Sequence, residues 1–283
     1  MLSAGSILIM QNEKRQCQNC KKDFVIEQED FNFYEKIKVP PPTFCPFCRM
    51  IRRMQFGNLN KFYKKPCEKC GEITIGLYPS DRNDRMYCNI CWWKDDWDGT
   101  EYGIDYNPNK PFFDQLIELR KKSIFVALES LFPSNVNTRY TNNSSYQKDC
   151  FMTIYADYDE HCAYTVLTAH NKDVLDCYRS KESELCYECI GIYKCYNCKW
   201  SEELDNCVDC SFCQSCYGGS NCLGCVNLSG SSYKIFNEQY SKEDYFKKLN
   251  ELKLETYEGQ QKFKKQAEDF WQKAVKRSYH GNS

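Results

Sequence analysis

The sequence predicts a mostly β chain with helices: tandem zinc ribbons, then a narrow β-solenoid of twelve residues per coil, then a C-terminal helical segment. Three observations predict it. Four C-x2-C pairs lie within the first 100 residues. Thirteen further cysteines, from Cys150 to Cys225, all sit at multiples of three. After residue 234, two stretches carry apolar residues at a spacing near 3.6. The chain has 21 Cys in 283 residues but only 3 His. Hydrophobic residues make up 42% of it and aromatics 15%, which suffices for packed cores and argues against general disorder. The N-terminal apolar run, Ile7 to Met10, is far too short to span a bilayer and lacks the flanks of a secretory signal. The expectation is a cytoplasmic chain with no membrane role and with reduced cysteines, in which C-x2-C pairs mean metal, redox chemistry or packing before disulfides.

Charge divides the chain further. The net is +3 over residues 1–100, −1 over 101–137, −6 over 138–233 and +3 over 234–283. A near-neutral total hides an acidic middle between two mildly basic ends. These zones are read as a tandem four-cysteine ribbon region (1–100), a linker with a helix capping the solenoid (101–137), the solenoid (138–233) and C-terminal helices (234–283).

In the first zone the pairs are Cys17/Cys20, Cys45/Cys48, Cys67/Cys70 and Cys88/Cys91. A C-x2-C turn lets two sulfurs converge on one ion, and zinc takes four tetrahedral ligands. Sequential pairing gives two sites: Cys17, Cys20, Cys45 and Cys48, then Cys67, Cys70, Cys88 and Cys91. A cross-braced pairing and iron in place of zinc are the alternatives. No His precedes His161, so both sites are expected to be all-Cys, closed and structural.

Between the sites, residues 49–65 hold six basic residues and no acid, with Phe56, Phe62 and Tyr63 interleaved. Basic groups neutralise phosphates and aromatics stack on unpaired bases. Arg49, Arg52, Arg53, Lys61, Phe62, Tyr63, Lys64 and Lys65 are the candidate nucleic-acid contacts. A solvated connector, or docking onto the acidic solenoid, are the competing readings. Trp92, Trp93 and Trp97 follow the last pair and are read as packing, with a stacking platform as the alternative.

A helix is expected from Pro111 to about Lys122, with Pro at its first position and Phe112, Phe113, Leu116, Ile117 and Leu119 crowding one side. From Thr138 the chain writes into rows of twelve. The first column reads Thr138, Cys150, Cys162, Val174, Cys186, Cys198, Cys210 and Cys222, and the fourth, seventh and tenth columns are also mostly small. Twelve extended residues closed on themselves leave room only for small inward side chains, and Cys is a compact one. Buried free thiols are the first reading, with metal ligation or scattered disulfides as alternatives. Asp149, Asp173, Asn197, Asp209 and Asn221 precede the first column and suit corners with unusual φ. His161 beside Cys162 is not read as a catalytic pair, since adjacent side chains leave such a coil in different directions. After the repeat, Ser241 and Asp244 form a capping box for a helix carrying Tyr245, Phe246, Leu249 and Leu252. Phe263, Ala267, Phe270, Trp271 and Ala274 make a second core-facing stripe, and the residues after Arg277 are expected to fray.

The repeat resembles the small insect antifreeze β-helices, which also use twelve-residue coils with inward residues every third position. The likeness is architectural. No Thr-x-Thr array recurs here, and only Cys189/Cys195, Cys207/Cys213, Cys210/Cys216 and Cys216/Cys222 match the six-residue spacing of that family's coil disulfides. Ice binding is not expected. As a whole, the stretches Cys45–Arg53, Tyr87–Trp93, Pro111–Phe113 and Ile235–Glu243 are similar to uncharacterised Cys-rich zinc-ribbon proteins of uncultured small-genome bacteria. That resemblance implies the domain order and a prokaryotic cytoplasmic setting.

No Gly-rich phosphate loop, nucleophile elbow or H-E-x-x-H motif occurs, so an enzyme is not expected. The leading expectation is a nucleic-acid-binding protein, for RNA or single strands, with two structural zinc ions and the solenoid as a rigid surface. A protein-interaction scaffold with structural zinc, and thiol or metal homeostasis, are the alternatives.

Overall fold

The computed structural model describes residues 12–54, 57–58 and 61–275. The expected fraying after Arg277 lies outside them, as does Phe56. The chain divides into two compact units at residue 58.

The first unit is a hairpin followed by two helices. Strands β1 (Glu13–Gln16) and β2 (Asp23–Ile26) pair antiparallel. Helices α1 (Gln28–Lys36) and α2 (Pro46–Met54) follow. Pro46 opens α2, where its missing N–H costs nothing.

The second unit begins with another antiparallel hairpin, β3 (Tyr63–Pro66) and β4 (Ile73–Gly76). Strand β5 (Arg85–Tyr87) and the short helix α3 (Asn89–Trp92) complete the second Cys-rich module. Helix α4 (Phe112–Lys122) leads into β6 (Ile124–Val126), which pairs parallel with β5. Among its residues α4 buries only Gln115, whose amide binds the backbone of Asn107 and Lys110. Its apolar residues Phe112, Phe113, Leu116 and Ile117 stay exposed.

From there the chain winds into a parallel β-solenoid of about eight coils. Seven strands, from 142–145 to 214–217, stack in one ladder, each paired with the strand twelve residues on. A second ladder joins 208–211, 220–223 and 232–235. Single bridges such as Lys148↔Glu160 and Phe151↔Ala163 keep the same offset on the remaining sides.

The coil turns every third residue. In one coil Asp149, Met152, Tyr155 and Tyr158 have φ of 52°, 53°, 53° and 58°. The residues after each, Cys150, Thr153, Ala156 and Asp159, point inward and are buried. So there are four corners per coil. The Asp/Asn column is one of them, as its residue types imply. The other three mix Gly, Asn and Asp with Tyr, Leu, Arg, Glu, Trp and Phe, and for these larger residues a left-handed conformation costs about 1–2 kcal/mol per residue. Backbone bonding offsets that cost: Phe151 N–H donates forward to Cys162 O (3.0 Å), and the corner residue Tyr164 donates back to Phe151 O (3.0 Å).

The interior changes character along its length. The early coils bury Thr141, Ser144, Gln147, Thr153, Asp159, Thr165, Thr168 and Asn171, while the later ones bury cysteines. Past the last coils, α5 (Lys242–Glu251) and α6 (Tyr257–Lys273) pack Tyr245, Phe263 and Ala267 against Phe212, Leu223 and Ile235. Ser241 caps α5 by accepting from Asp244 N–H (3.1 Å) and donating to its carboxylate (2.8 Å). No helix among the described residues is long and apolar enough to cross a membrane.

Candidate metal centres and the basic segment

Each four-cysteine group is built from a hairpin turn and a helix start. Cys17 follows β1, and its N–H donates to Lys22 O while its carbonyl accepts from Lys21 N–H. Cys67 repeats this with Glu72 and Gly71. The turn requires a left-handed residue after the second cysteine, which is Lys21 (φ 61°) in one case and Gly71 (φ 76°) in the other. The second pair of each group brackets a helix start. Cys45 immediately precedes α2, with Cys48 one turn in, and Cys88 caps α3, accepting from Cys91 N–H at 3.4 Å.

These turns bring together Cys17, Cys20, Cys45 and Cys48, and separately Cys67, Cys70, Cys88 and Cys91, with all sulfurs of a group within 4.8 Å of one another. Sequential pairing is therefore the geometry, and a cross-braced arrangement is not. Cys20 and Cys45 sulfurs lie 3.8 Å apart, and those of Cys70 and Cys88 4.0 Å. A tetrahedron with metal–sulfur bonds of about 2.3 Å has edges of about 3.8 Å, so the groups fit such an ion. Backbone N–H groups also aim at sulfur, from Cys45 to Cys17 (3.2 Å) and from Cys88 to Cys67 (3.2 Å). Burial raises the Cys17 thiol, but N–H groups of Cys45, Cys20 and Asn19 outweigh it and bring it down to about 6. Cys67 reaches about 7 by the same balance, with Cys70, Cys88 and Lys69 as donors. Both favour the thiolate that a metal needs. At Cys48 the Asn19 amide is outweighed by burial and the neighbouring thiols, which hold it up, and burial and neighbouring thiols hold Cys91 up too.

The basic segment is divided between the two units. Arg49, Arg52 and Arg53 fall on one side of α2, at i, i+3 and i+4. Arg52 lies 5.2 Å over the Phe44 ring. Lys61, Phe62, Tyr63, Lys64 and Lys65 belong to the other unit. Lys64 is exposed on β3, whereas Lys65 is committed to structure: its ammonium donates to Arg82 O (2.9 Å) and Asp84 O (2.6 Å). The tryptophans divide too. Trp92 and Trp97 pack at 4.7 Å, with Trp97 Nε1 donating to Trp92 O (2.9 Å), while Trp93 stays exposed.

The solenoid thiols are arranged for hydrogen bonding. All thirteen direct Sγ at the carbonyl two residues earlier, at 3.2–3.5 Å. Ser183 and Ser201 do the same with oxygen, at 2.9 and 2.8 Å. All thirteen are buried and free of disulfides, and burial pushes the Cys213 thiol well above its ordinary value. Among the described residues, only the two N-terminal groups gather three or more metal-ligating side chains around one point. His161 sits outside, between the carboxylates of Asp149 and Asp173, away from the buried Cys162.

No family model and no curated protein matches the chain. One solved structure that aligns is a mutant of GDP-perosamine N-acetyl transferase from Caulobacter crescentus in complex with CoA and GDP-perosamine, at 10% identity over 41% of this chain. The alignment spans 57% of that chain with a TM-score of 0.11, too low to carry an argument about fold.

Proposed function

We propose that this is a non-enzymatic protein, stabilised by two structural zinc ions, that binds RNA or other single-stranded nucleic acid through its N-terminal region. The solenoid serves as a rigid interaction surface. The observation that carries the reading is α2, where three arginines share one side of a helix whose Cys48 belongs to the first four-cysteine group. A metal there holds the arginines in place before any ligand arrives, which lowers the ordering cost of binding. Zinc suits four thiolates, and four protein ligands leave no open position, so the role is structural. Lys61, Phe62, Tyr63 and Lys64 supply a second, aromatic-bearing patch.

The test is RNA affinity of the zinc-loaded full chain as a function of salt. Replacing Arg52 and Arg53 by Ala should weaken binding and flatten the log–log salt slope by about 0.7 per lost phosphate contact on a single strand. Absence of binding at low salt, or an unchanged slope in the double variant, overturns the reading. The exposed Phe112, Phe113, Leu116 and Ile117 on α4 favour a second reading, protein docking, which predicts partner capture that survives the arginine changes.

A further inference from the structure

One face of the solenoid carries a cleft that belongs to none of the features above. Two outward columns flank it. Along one, Asp157, Ala169, Lys181, Tyr193 and Asp205 stack as register partners. Along the other, at corner positions, run Tyr155, Leu167, Arg179, Gly191 and Glu203. Ala169 and Gly191 interrupt these rows of larger side chains on either side of the rung that carries Arg179 and Lys181. The result is a cleft of about 530 Å³ lined by Tyr155, Leu167, Arg179, Lys181 and Tyr193 over that floor. This size lies in the ~300–1,000 Å³ range of small-molecule sites.

Its chemistry is one-sided. No carboxylate lines it, although the solenoid is net −6. The Arg179 guanidinium has no ion pair or hydrogen bond among the described residues. Lys181 is shared between Glu182 (3.6 Å) and the Tyr193 ring (5.8 Å). An unpaired guanidinium beside apolar and aromatic walls suits a phosphate attached to a flat ring. The cationic strip is only one rung deep. Asp157 closes it on one side, and Glu203 and Asp205 on the other. A polyanion running along the axis would meet those carboxylates, whereas one small ligand would not. We propose that this cleft binds a small ring-bearing monophosphate of the nucleotide class, with the phosphate on Arg179 and Lys181 and the ring against Leu167 and Tyr155.

The site can be filled without disturbing the fold. A Cβ built on Gly191 meets only Glu203, at 3.8 Å, and Leu167 already occupies the same column at φ 59°. Gly191→Leu should therefore occupy the cleft, at the modest cost that a left-handed backbone imposes on a side chain. Ala169→Tyr does so from the other column, where Tyr193 already stands. The experiment titrates the full chain with adenosine monophosphate by calorimetry, with adenosine, inorganic phosphate and a short oligoadenylate as further arms. Saturable binding of the monophosphate is expected, at least tenfold weaker in Arg179→Gln and lost in either filling variant that remains folded at the assay temperature. The proposal is overturned by any of three results: no saturable binding of the monophosphate, unchanged binding in a folded filling variant, or inorganic phosphate binding as tightly. Oligoadenylate binding more tightly through Arg179 also overturns it, because the ligand would then be a polymer.

Discussion

The sulfur of Cys177 accepts a hydrogen bond from the backbone N–H of Cys189, twelve residues on, at 3.3 Å. In the same column two coils later, the hydroxyl of Ser201 accepts the equivalent bond from Cys213 at 3.0 Å. Thiol and hydroxyl are thus interchangeable at this position. Each donates to a carbonyl in its own coil and can accept from the next. Cysteine meets the solenoid's need for a small side chain with one weak donor, and its redox chemistry is idle where burial keeps it protonated, as at Cys213.

Substitution should respect that geometry. Cys198→Ser, within the thiol-rich coils, is expected to change stability little. Cys198→Leu should cost about 1–3 kcal/mol through overpacking, since Cys198 is fully buried between Cys186 and Cys210 of its own column. Denaturant midpoints of the two variants under reducing conditions provide the comparison.

Metal removal should act unevenly. Among the described residues of the first unit, the buried hydrophobic ones are Cys17, Ile26, Cys45 and Cys48, and three of these four are in the first four-cysteine group. With so little other core, its folding free energy comes mainly from the ion. A chelator, or Cys48→Ser, is expected to unfold residues 12–54 while the solenoid's β signature persists. Limited proteolysis with and without chelator reads this directly, and about two zinc ions per chain are expected by elemental analysis.

Asp159 introduces a pH dependence. Its carboxyl is buried and accepts from Thr168 Oγ1 (2.5 Å), Asn171 N–H (2.9 Å) and Asn171 Nδ2 (3.1 Å). Burial raises its pKa, and these bonds only partly counter that. A raised folded value means the unfolded chain gives up this proton first. The stability held below the unfolded value of about 3.9 is therefore lost progressively as pH rises through the folded value. Asp159→Asn keeps the shape and removes the titration. The variant should gain on wild type as pH rises through that window, measured as the difference in denaturation midpoint.

Lys64 and Lys65 are adjacent and equally basic, yet opposite effects are expected. Lys65→Ala should destabilise the second Cys-rich module, because it deletes the clamp on Arg82 and Asp84 carbonyls. Its effect on RNA affinity should be small once folding is corrected for. Lys64→Ala should leave the melting temperature unchanged and weaken RNA binding.

The C-terminal helices close the end of the core. Phe263 is 1% exposed and stacks on Phe236 (5.1 Å) while meeting Phe212 (5.1 Å). Phe263→Ala should cost about 3–5 kcal/mol by emptying that space, with urea unfolding as the readout.

These features were unequally legible in the sequence. The period of three and the coil of twelve stand out because inward positions admit few residue types. The ligand groups stand out because metal geometry constrains spacing. The corners did not. The column of Asp149, Asp173 and Asn197 is rich in residues that favour a positive φ, whereas Tyr155, Leu167 and Arg179 adopt it within strands that pair with a neighbour on either side. Tertiary bonding overrode local preference. The structural role of Lys65 was hidden for a different reason: basicity is visible in a sequence, but a clamp on carbonyls seventeen and nineteen residues away is not. The exposed apolar side of α4 was likewise hidden, because amphipathic spacing says that a face needs cover and not whether the fold supplies it.

The constant offset of twelve between paired residues makes the coil a unit of length change. Adding or deleting twelve residues returns every column to its place and merely lengthens or shortens the rod. A change of one residue brings a corner side chain such as Tyr or Arg into an interior sized for Cys and Thr. The architecture therefore tolerates growth only in whole rungs, and a gene encoding it can change length safely only in steps of thirty-six bases.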